Sequence, residues 1–469
     1  MRPDPGHPIA ATRRRWLASG RTVTEHVQAT LTAIAEQDAL GAFVAVAGDE
    51  ALAAAEKADI RIREMGAEAW RDMPLLGVTV SVKDLLQTRD LPTRRGSLLR
   101  NNRAPRDAPA VARLRAAGAV IVGKTTTSEY GWSASTVSRV SPSTRNPYDP
   151  ALTAGGSTGG GAAAVATGLC QVSLGTDGAG SIRIPAAFCG VVGYKPSYGR
   201  LPYSPNSIDR LAHQGPLTRT VADAALIAQV ASGPHTDDPD SALVSLDRAR
   251  DRRRLRVGWI HHDVTSAQIA EVTEQARRAL TGLGHQVESI PPPYDDPYPA
   301  LIDILAAAEA ADTLPWAEEW CDPGRLEIVR YGRTLSGETV MRAEGVRQTL
   351  RARLRAVMER YDLLAMATVP IEPLRADTIA PDRAADPRDL QWLSWAPAAY
   401  PFNMTGQPAV SLPAGLTRSG LPAGVQLVGP VGADALVLAA AQQLEAELGG
   451  PPRPPEPTSA LSAPGERTP

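Results

Sequence analysis

Two serines lie in turns of small residues: Ser157 inside GGSTGGG at 155–161, and Ser181 at the end of GAGS at 178–181. A serine hydroxyl is a weak nucleophile until a base takes its proton, so each serine raises the question of a partner. GGSTG at 155–159 fits the G-x-S-x-G elbow, whose base is a histidine late in the chain. The last of the seven histidines is His285, and the elbow is rejected for want of a base. GGSTGGGAAA also lacks the Lys-Ser/Thr of a phosphate-binding loop and the spacing G-x-G-x-x-G. Taken alone, the run reads equally well as a tight turn capping an Ala-rich helix.

Composition points to a different kind of base. Of 49 Lys plus Arg, only four are lysines, Lys57, Lys83, Lys124 and Lys195. Where arginine supplies the solvated charge, a lysine marks a place that can use a titratable amine, because arginine does not give up its proton. That argument applies equally to all four.

The elements that must hold these residues follow from periodicity. Residues 10–70 are rich in Ala, Glu and Arg at helical spacing, with Thr22 or Thr24 as the cap of a helix, and form an expected helical layer. Across 71–230, short apolar runs (LLGVTVSV, AVIVG, QVSLGTD, CGVVGY) alternate with helical stretches, which predicts an α/β sheet of buried strands. Residues 232–256 read as a surface connection, and 232–350 as a largely helical, variable region. Strand-like runs return within 351–448 (YDLLAMATVP, QPAVSLPAG, PAGVQLVGP) before a last helix, so one mixed sheet is expected rather than two domains. The Pro-rich tail from 449 to 469 is expected to be disordered.

Net charge is −2, which gives no electrostatic case for nucleic acid. No signal-peptide core and no apolar run long enough to span a membrane is present, so a cytoplasmic protein without a membrane partner is expected. Cys170, Cys189 and Cys321 have no metal-binding spacing and are expected to be buried and reduced.

Read together, GVTVSVKD around Lys83, TAGGSTGGGAAAVATGL around Ser157 and GTDGAGSIRIPAAFCGVVGYKPSYGR around Ser181 resemble the amidase signature family of serine hydrolases. The likeness continues through HQGPLTRTVADAAL and FNMTGQPAVSLPAGLTRSGLPAGVQLVGP. It implies a single compact α/β domain, a central mixed sheet surrounded by helices, and a small-molecule amide or ester substrate. It implies Ser181 as nucleophile, Ser157 as bridging serine at a cis peptide, Lys83 as base, and no metal or cofactor. Backbone N–H groups of Gly178, Ala179, Gly180 and Ser181 are then expected to form the oxyanion hole, with Tyr130 and Trp132 beside the substrate. Asp177 and Arg183 are expected to orient the turn by charge pairing, and Lys124, Lys195 and His213 to be structural.

The chain departs from the family pattern at Thr158, where a serine is usual, and at Ala179, where glycine is usual. The second departure is compatible with the turn only if Ala179 avoids positive φ. Asp90 and Arg94 follow Lys83 in a loop that commonly carries glycine. GKTTTSEYGW differs from the GKTNMDEF-like stretch of the A subunits of glutamine amidotransferases and looks more like stand-alone amidases. The A subunit of such an amidotransferase, an acyl transferase or amide synthase, and an inactive scaffold of the same fold remain alternatives. A homodimer is left open.

Overall fold

A computed structural model of the chain describes residues 9–99, 104–243 and 254–455. The described strands are β1 (Phe43–Val46), β2 (Thr79–Lys83), β3 (Val120–Thr125), β4 (Val172–Asp177), β5 (Val192–Lys195), β6 (His213–Thr218), β7 (Arg256–Ile260), β8 (Gln286–Ile290), β9 (Leu363–Ala367), β10 (Ala409–Leu416) and β11 (Pro422–Val428). They form one sheet in the order β1-β3-β2-β4-β6-β5-β10-β11-β9-β7-β8. The sheet is mixed. β2 runs parallel to β3 and β4, and β7 parallel to β8 and β9, while the other pairs are antiparallel.

Every residue of β2, β3, β4, β5 and β6 is buried. Strands covered on both faces have no polar side to alternate with, which is why their sequences read as short continuous runs. The edge strands differ. β1 and β8 are largely in contact with solvent, so FVAV and QVESI carry no such signature. The helical reading of 10–70 is therefore corrected: β1 separates the helices Val23–Gln37 and Gly48–Met65. β6 also escapes pattern reading, because HQGPLT contains Gly215 and Pro216; it is a strand through its pairing with β4 and β5. In the region 232–350, β7 and β8 extend the same sheet before three helices follow.

Local details follow the chemistry of the caps. The Thr22 hydroxyl accepts from Glu25 N–H at 3.0 Å and the Glu25 carboxylate accepts from Thr22 N–H at 3.1 Å, a reciprocal cap. Thr24 instead donates to Asp59 at 2.6 Å. Of the expected disordered tail, residues 456–469 lie outside the described residues, as do 244–253 of the connection after Ser232. In the part that is described, Pro452 O accepts from Tyr148 at 3.0 Å and from Arg219 at 2.9 Å. Among the described residues no helix is long and apolar enough to cross a membrane.

Three features bring chemistry to one end of the sheet. Lys83 ends β2 and Asp177 ends β4, and these strands are parallel neighbours, with Val82 opposite Leu174. The helix Gly159–Thr167 begins just after Ser157, and the helix Arg183–Cys189 just after Ser181. The helices Tyr298–Asp312 and Pro323–Gly332 pack against each other beside this end, so closely that a Cβ on Gly332 would overlap the Ala306 carbonyl. Gly332→Ala is expected to cost about 1–3 kcal/mol by overpacking that crossing. Gly345→Ala, on an exposed helical turn with open space around it, is expected to gain about 0.5–1 kcal/mol. Urea unfolding midpoints of the two variants check this opposition of sign.

Candidate active site

The glycine run at 155–161 is a matter of space. A Cβ on Gly156 would run into the Ser135 backbone, and Cβ atoms on Gly159, Gly160 and Gly161 would meet the hydroxyls of Thr136, Thr126 and Ser173. The run lets the helix Gly159–Thr167 start against the sheet, and it fixes Ser157 between β2 and the turn after β4. The peptide bond Gly156–Ser157 is cis.

Ser157 is buried, with its Oγ 2.8 Å from Lys83 Nζ and 3.0 Å from Ser181 Oγ. Lys83 is fully buried, and its Nζ also lies 2.8 Å from Thr176 Oγ1 and 3.4 Å from Thr176 O. Burial pushes the Lys83 amine down to about 7, against an opposing pull from Asp177. A neutral amine can give its two hydrogens to the oxygens of Thr176 and keep its lone pair for the Ser157 proton. The arrangement is thus able to draw a proton along the line Ser181, Ser157, Lys83. Ser181 is partly exposed and borders a cavity of about 400 Å³.

The turn that presents Ser181 is shaped by a buried ion pair. Asp177 and Arg183 are both wholly buried; Arg183 Nε donates to Asp177 Oδ2 at 2.9 Å and Nη2 to Oδ1 at 2.9 Å. The other donors of Arg183 reach Ala399 O, Gln426 Oε1 and Asn403 Oδ1 at 2.6–2.9 Å. Burial alone would push the Asp177 carboxyl up; the Arg183 guanidinium reverses this and holds it well below the usual carboxylate range. Asp177 in turn accepts from Gly180 N–H at 2.7 Å and Ile182 N–H at 3.2 Å. One of the four expected oxyanion donors is thereby engaged, because the Gly180 N–H points at Asp177. The N–H groups of Gly178, Ala179 and Ser181 remain. Positive φ falls on Gly180, at 117°, and not on Ala179, so the methyl of Ala179 is accommodated.

The remaining lysines have other surroundings. Lys124 is buried and pairs with Asp84 at 3.3 Å; burial lowers it to about 8, with Asp84 opposing. Lys195 is buried and donates to the Gln407 carbonyl; burial, then Arg183, push it well below its usual value. Lys57 is exposed. His213 is buried with Nδ1 2.6 Å from Leu211 O, and burial lowers it far below the ordinary histidine range. The three cysteines are buried and free. Among the described residues no group of three or more His, Cys, Asp or Glu is placed to hold a metal ion.

Tyr130 and Trp132 both line the cavity beside Ser181. Tyr130 has φ 49°, and its ring meets the guanidinium groups of Arg95, at 5.6 Å from the ring centroid, and of Arg325, at 4.3 Å. Sequence reading overlooked Thr176, although it directly precedes Asp177 in QVSLGTD, and it overlooked Arg95, Tyr203, Glu309 and Trp392 in the cavity wall. No spacing rule joins those positions; the fold does. Arg183→Met is expected to cost about 3–5 kcal/mol by leaving the Asp177 carboxylate buried and unpaired, read as a loss in unfolding free energy by urea denaturation.

A family model described as Amidase matches residues 25–438. Among curated proteins, the chain is 36% identical to the A subunit of the glutamyl-tRNA(Gln) amidotransferase of Anaeromyxobacter dehalogenans, over 92% of this chain and 94% of that one. It is likewise 36% identical to an acylamidase of Rhodococcus erythropolis, over 80% of this chain and 82% of that one. A bacterial aryl acylamidase structure superposes with a TM-score of 0.84 at 28% identity, covering 95% and 97% of the two chains. The corresponding amidotransferase chain of Thermotoga maritima gives 0.74 at the same 28% identity, covering 92% and 94%.

Proposed function

The chain belongs to the amidase family, whose signature hydrolases act on amide C–N bonds, and on that footing we propose that it hydrolyses a carboxylic amide through Ser181, with Ser157 and Lys83 as its proton relay. The observation that carries this reading is the unbroken line of contacts from Lys83 Nζ through Ser157 Oγ to Ser181 Oγ, ending at the cavity. Neutral Lys83 takes the proton of Ser157 as Ser157 takes that of Ser181, and Ser181 Oγ attacks the carbonyl carbon. The N–H groups of Gly178, Ala179 and Ser181 are the donors for the developing oxyanion, each of a kind worth about 2.7–4 kcal/mol of barrier. Collapse of the tetrahedral adduct breaks the C–N bond while the relay returns a proton to the leaving amine. Water then attacks the acyl-enzyme by the same relay and frees the acid. Tyr130 and Trp132 are assigned to the substrate pocket.

The larger overlap with the aryl acylamidase than with the amidotransferase chain supports a stand-alone enzyme. The 36% identity to an amidotransferase component over most of the chain supports a second reading, in which the protein releases ammonia for a partner. Isolation of the native protein distinguishes them, since the second requires stoichiometric partner chains.

A serine-directed fluorophosphonate is expected to modify Ser181, located by peptide mapping, and Ser181→Ala to lose both the label and about 1,000-fold or more in kcat. Label on Ser157 in place of Ser181 would overturn the role assignment. Because Lys83 accepts a proton only when neutral and its value is lowered to about 7, kcat/KM is expected to rise with pH through about 7 and level off above it. Lys83→Met is expected to remove that rise together with about 100- to 10,000-fold of the rate.

A further inference from the structure

The cavity beside Ser181 contains a cation with no hydrogen-bond acceptor among the described residues. Arg95 lines it, and the Arg95 backbone is tied down at both groups: its N–H donates to Asp84 O at 3.0 Å and its carbonyl accepts from Tyr130 N–H at 2.8 Å. Arg95 sits at φ 57°, in the left-handed region that a residue with a Cβ rarely adopts. Gly96 follows at φ 65°, where a Cβ would meet Thr127 O at 2.7 Å. Beneath this turn the Asp84 carboxylate accepts from Arg94 N–H at 3.1 Å and pairs with buried Lys124. A constrained, well-anchored turn therefore holds a long cationic side chain at the cavity. Its guanidinium rests over the Tyr130 ring and makes no hydrogen bond or ion pair among the described residues.

Two of the three carboxylates in the cavity wall, Glu309 and Asp209, accept hydrogen bonds from other groups. Glu309 accepts from Arg325 Nε at 2.8 Å and lies 2.6 Å from its Nη2 as an ion pair. Asp209 accepts from Leu211 N–H at 2.8 Å and from the Ser207 hydroxyl. Asp312 is exposed at the end of its helix. Trp132, also in the cavity wall, keeps a buried indole N–H with no acceptor among the described residues. Surplus donors in a partly desolvated cavity call for acceptor oxygens on the ligand, and a guanidinium fork matches a carboxylate.

We propose that Arg95 is a specificity-determining residue that receives a carboxylate carried on the acyl or the amine arm of the amide substrate. This rests on the hydrolytic reading above and narrows its substrate class to anionic amides.

The test measures binding and turnover separately. Ser181→Ala protein is titrated calorimetrically with glutaryl anilide against pentanoyl anilide, and with N-acetyl-4-aminobenzoate against acetanilide. At least one carboxylate is expected to bind about tenfold or more tightly than its neutral isostere, the scale of one charge-assisted hydrogen bond. Adding Arg95→Asn, a residue that tolerates positive φ, is expected to bring the ratio near one, and Arg95→Lys to retain part of it. Because each ratio is taken within one protein, a general loss of folded material does not imitate the effect. Equal binding of the isosteres, a preference that survives Arg95→Asn, or tighter binding of 5-aminopentanoyl anilide would overturn the proposal, the last by handing the cavity to its carboxylates. Aniline or 4-aminobenzoate release by the unsubstituted protein is scored independently. An Arg95-dependent preference without release would remove the hydrolytic reading and leave the anion site, whereas release without preference would do the reverse.

Discussion

The five N–H bonds of Arg183 end on Asp177, Ala399, Asn403 and Gln426, and the turn carrying Ser181 takes its shape from that arrangement. A guanidinium buried without acceptors would cost several kcal/mol, so the full set has to be supplied at once. Supplying it fixes Asp177 at the end of β4, and Asp177 then fixes Gly180 and Ile182 through their N–H groups. The same residue Asn403 donates to the Asp177 carbonyl at 2.8 Å, closing the ring. The position of Ser181 is thus a consequence of satisfying one cation.

That commitment also governs Lys83. A carboxylate near a buried lysine ordinarily keeps it charged. Here Asp177 is the opposing charge, but it is already bound twice by Arg183, and burial prevails, so the amine falls to about 7. Lys124, also buried and also lowered mainly by burial, differs in its surroundings, with the Asp84 carboxylate in direct contact at 3.3 Å. Direct contact with a carboxylate, together with bonds to Leu86 O and Thr93, ties Lys124 into a loop, whereas the hydrogen-bond partners of Lys83 among the described residues are the neutral oxygens of Ser157 and Thr176.

Much of this was legible in the sequence, and the gaps have physical causes. Buried strands announced themselves because β2, β3, β4, β9, β10 and β11 are apolar runs bounded by turns. β1 and β8 did not, since edge strands facing solvent carry mixed residues, and β6 did not, since Gly215 and Pro216 oppose strand propensity and only the neighbours enforce it. The scarcity of lysine marked all four equally, the buried Lys83, Lys124 and Lys195 and the exposed Lys57, and gave no means of choosing among them. Ser157, Ser181 and Lys83 were brought together by motif resemblance, because their spacing along the chain reflects strand order and not local geometry. The engagement of Gly180 N–H by Asp177 depends on a side-chain rotamer, and the wall residues Arg95, Tyr203, Glu309 and Trp392 come from four separate segments. Neither kind of fact is written in a local pattern.

The acceptors of Arg183 also set an order of events. Lys83, Ser157 and Ser181 leave the ribosome well before Ala399, Asn403 and Gln426, which must cross more than 200 residues of chain to reach Arg183. Until those late segments dock, the guanidinium has no buried home and the turn at 177–183 no fixed shape; contacts of such sequence separation form slowly because loop closure precedes any gain. A nascent or truncated chain can therefore hold all three polar residues and still lack a formed site. If Ser181 is the nucleophile proposed above, its turn takes shape only when the segments carrying Ala399, Asn403 and Gln426 have docked.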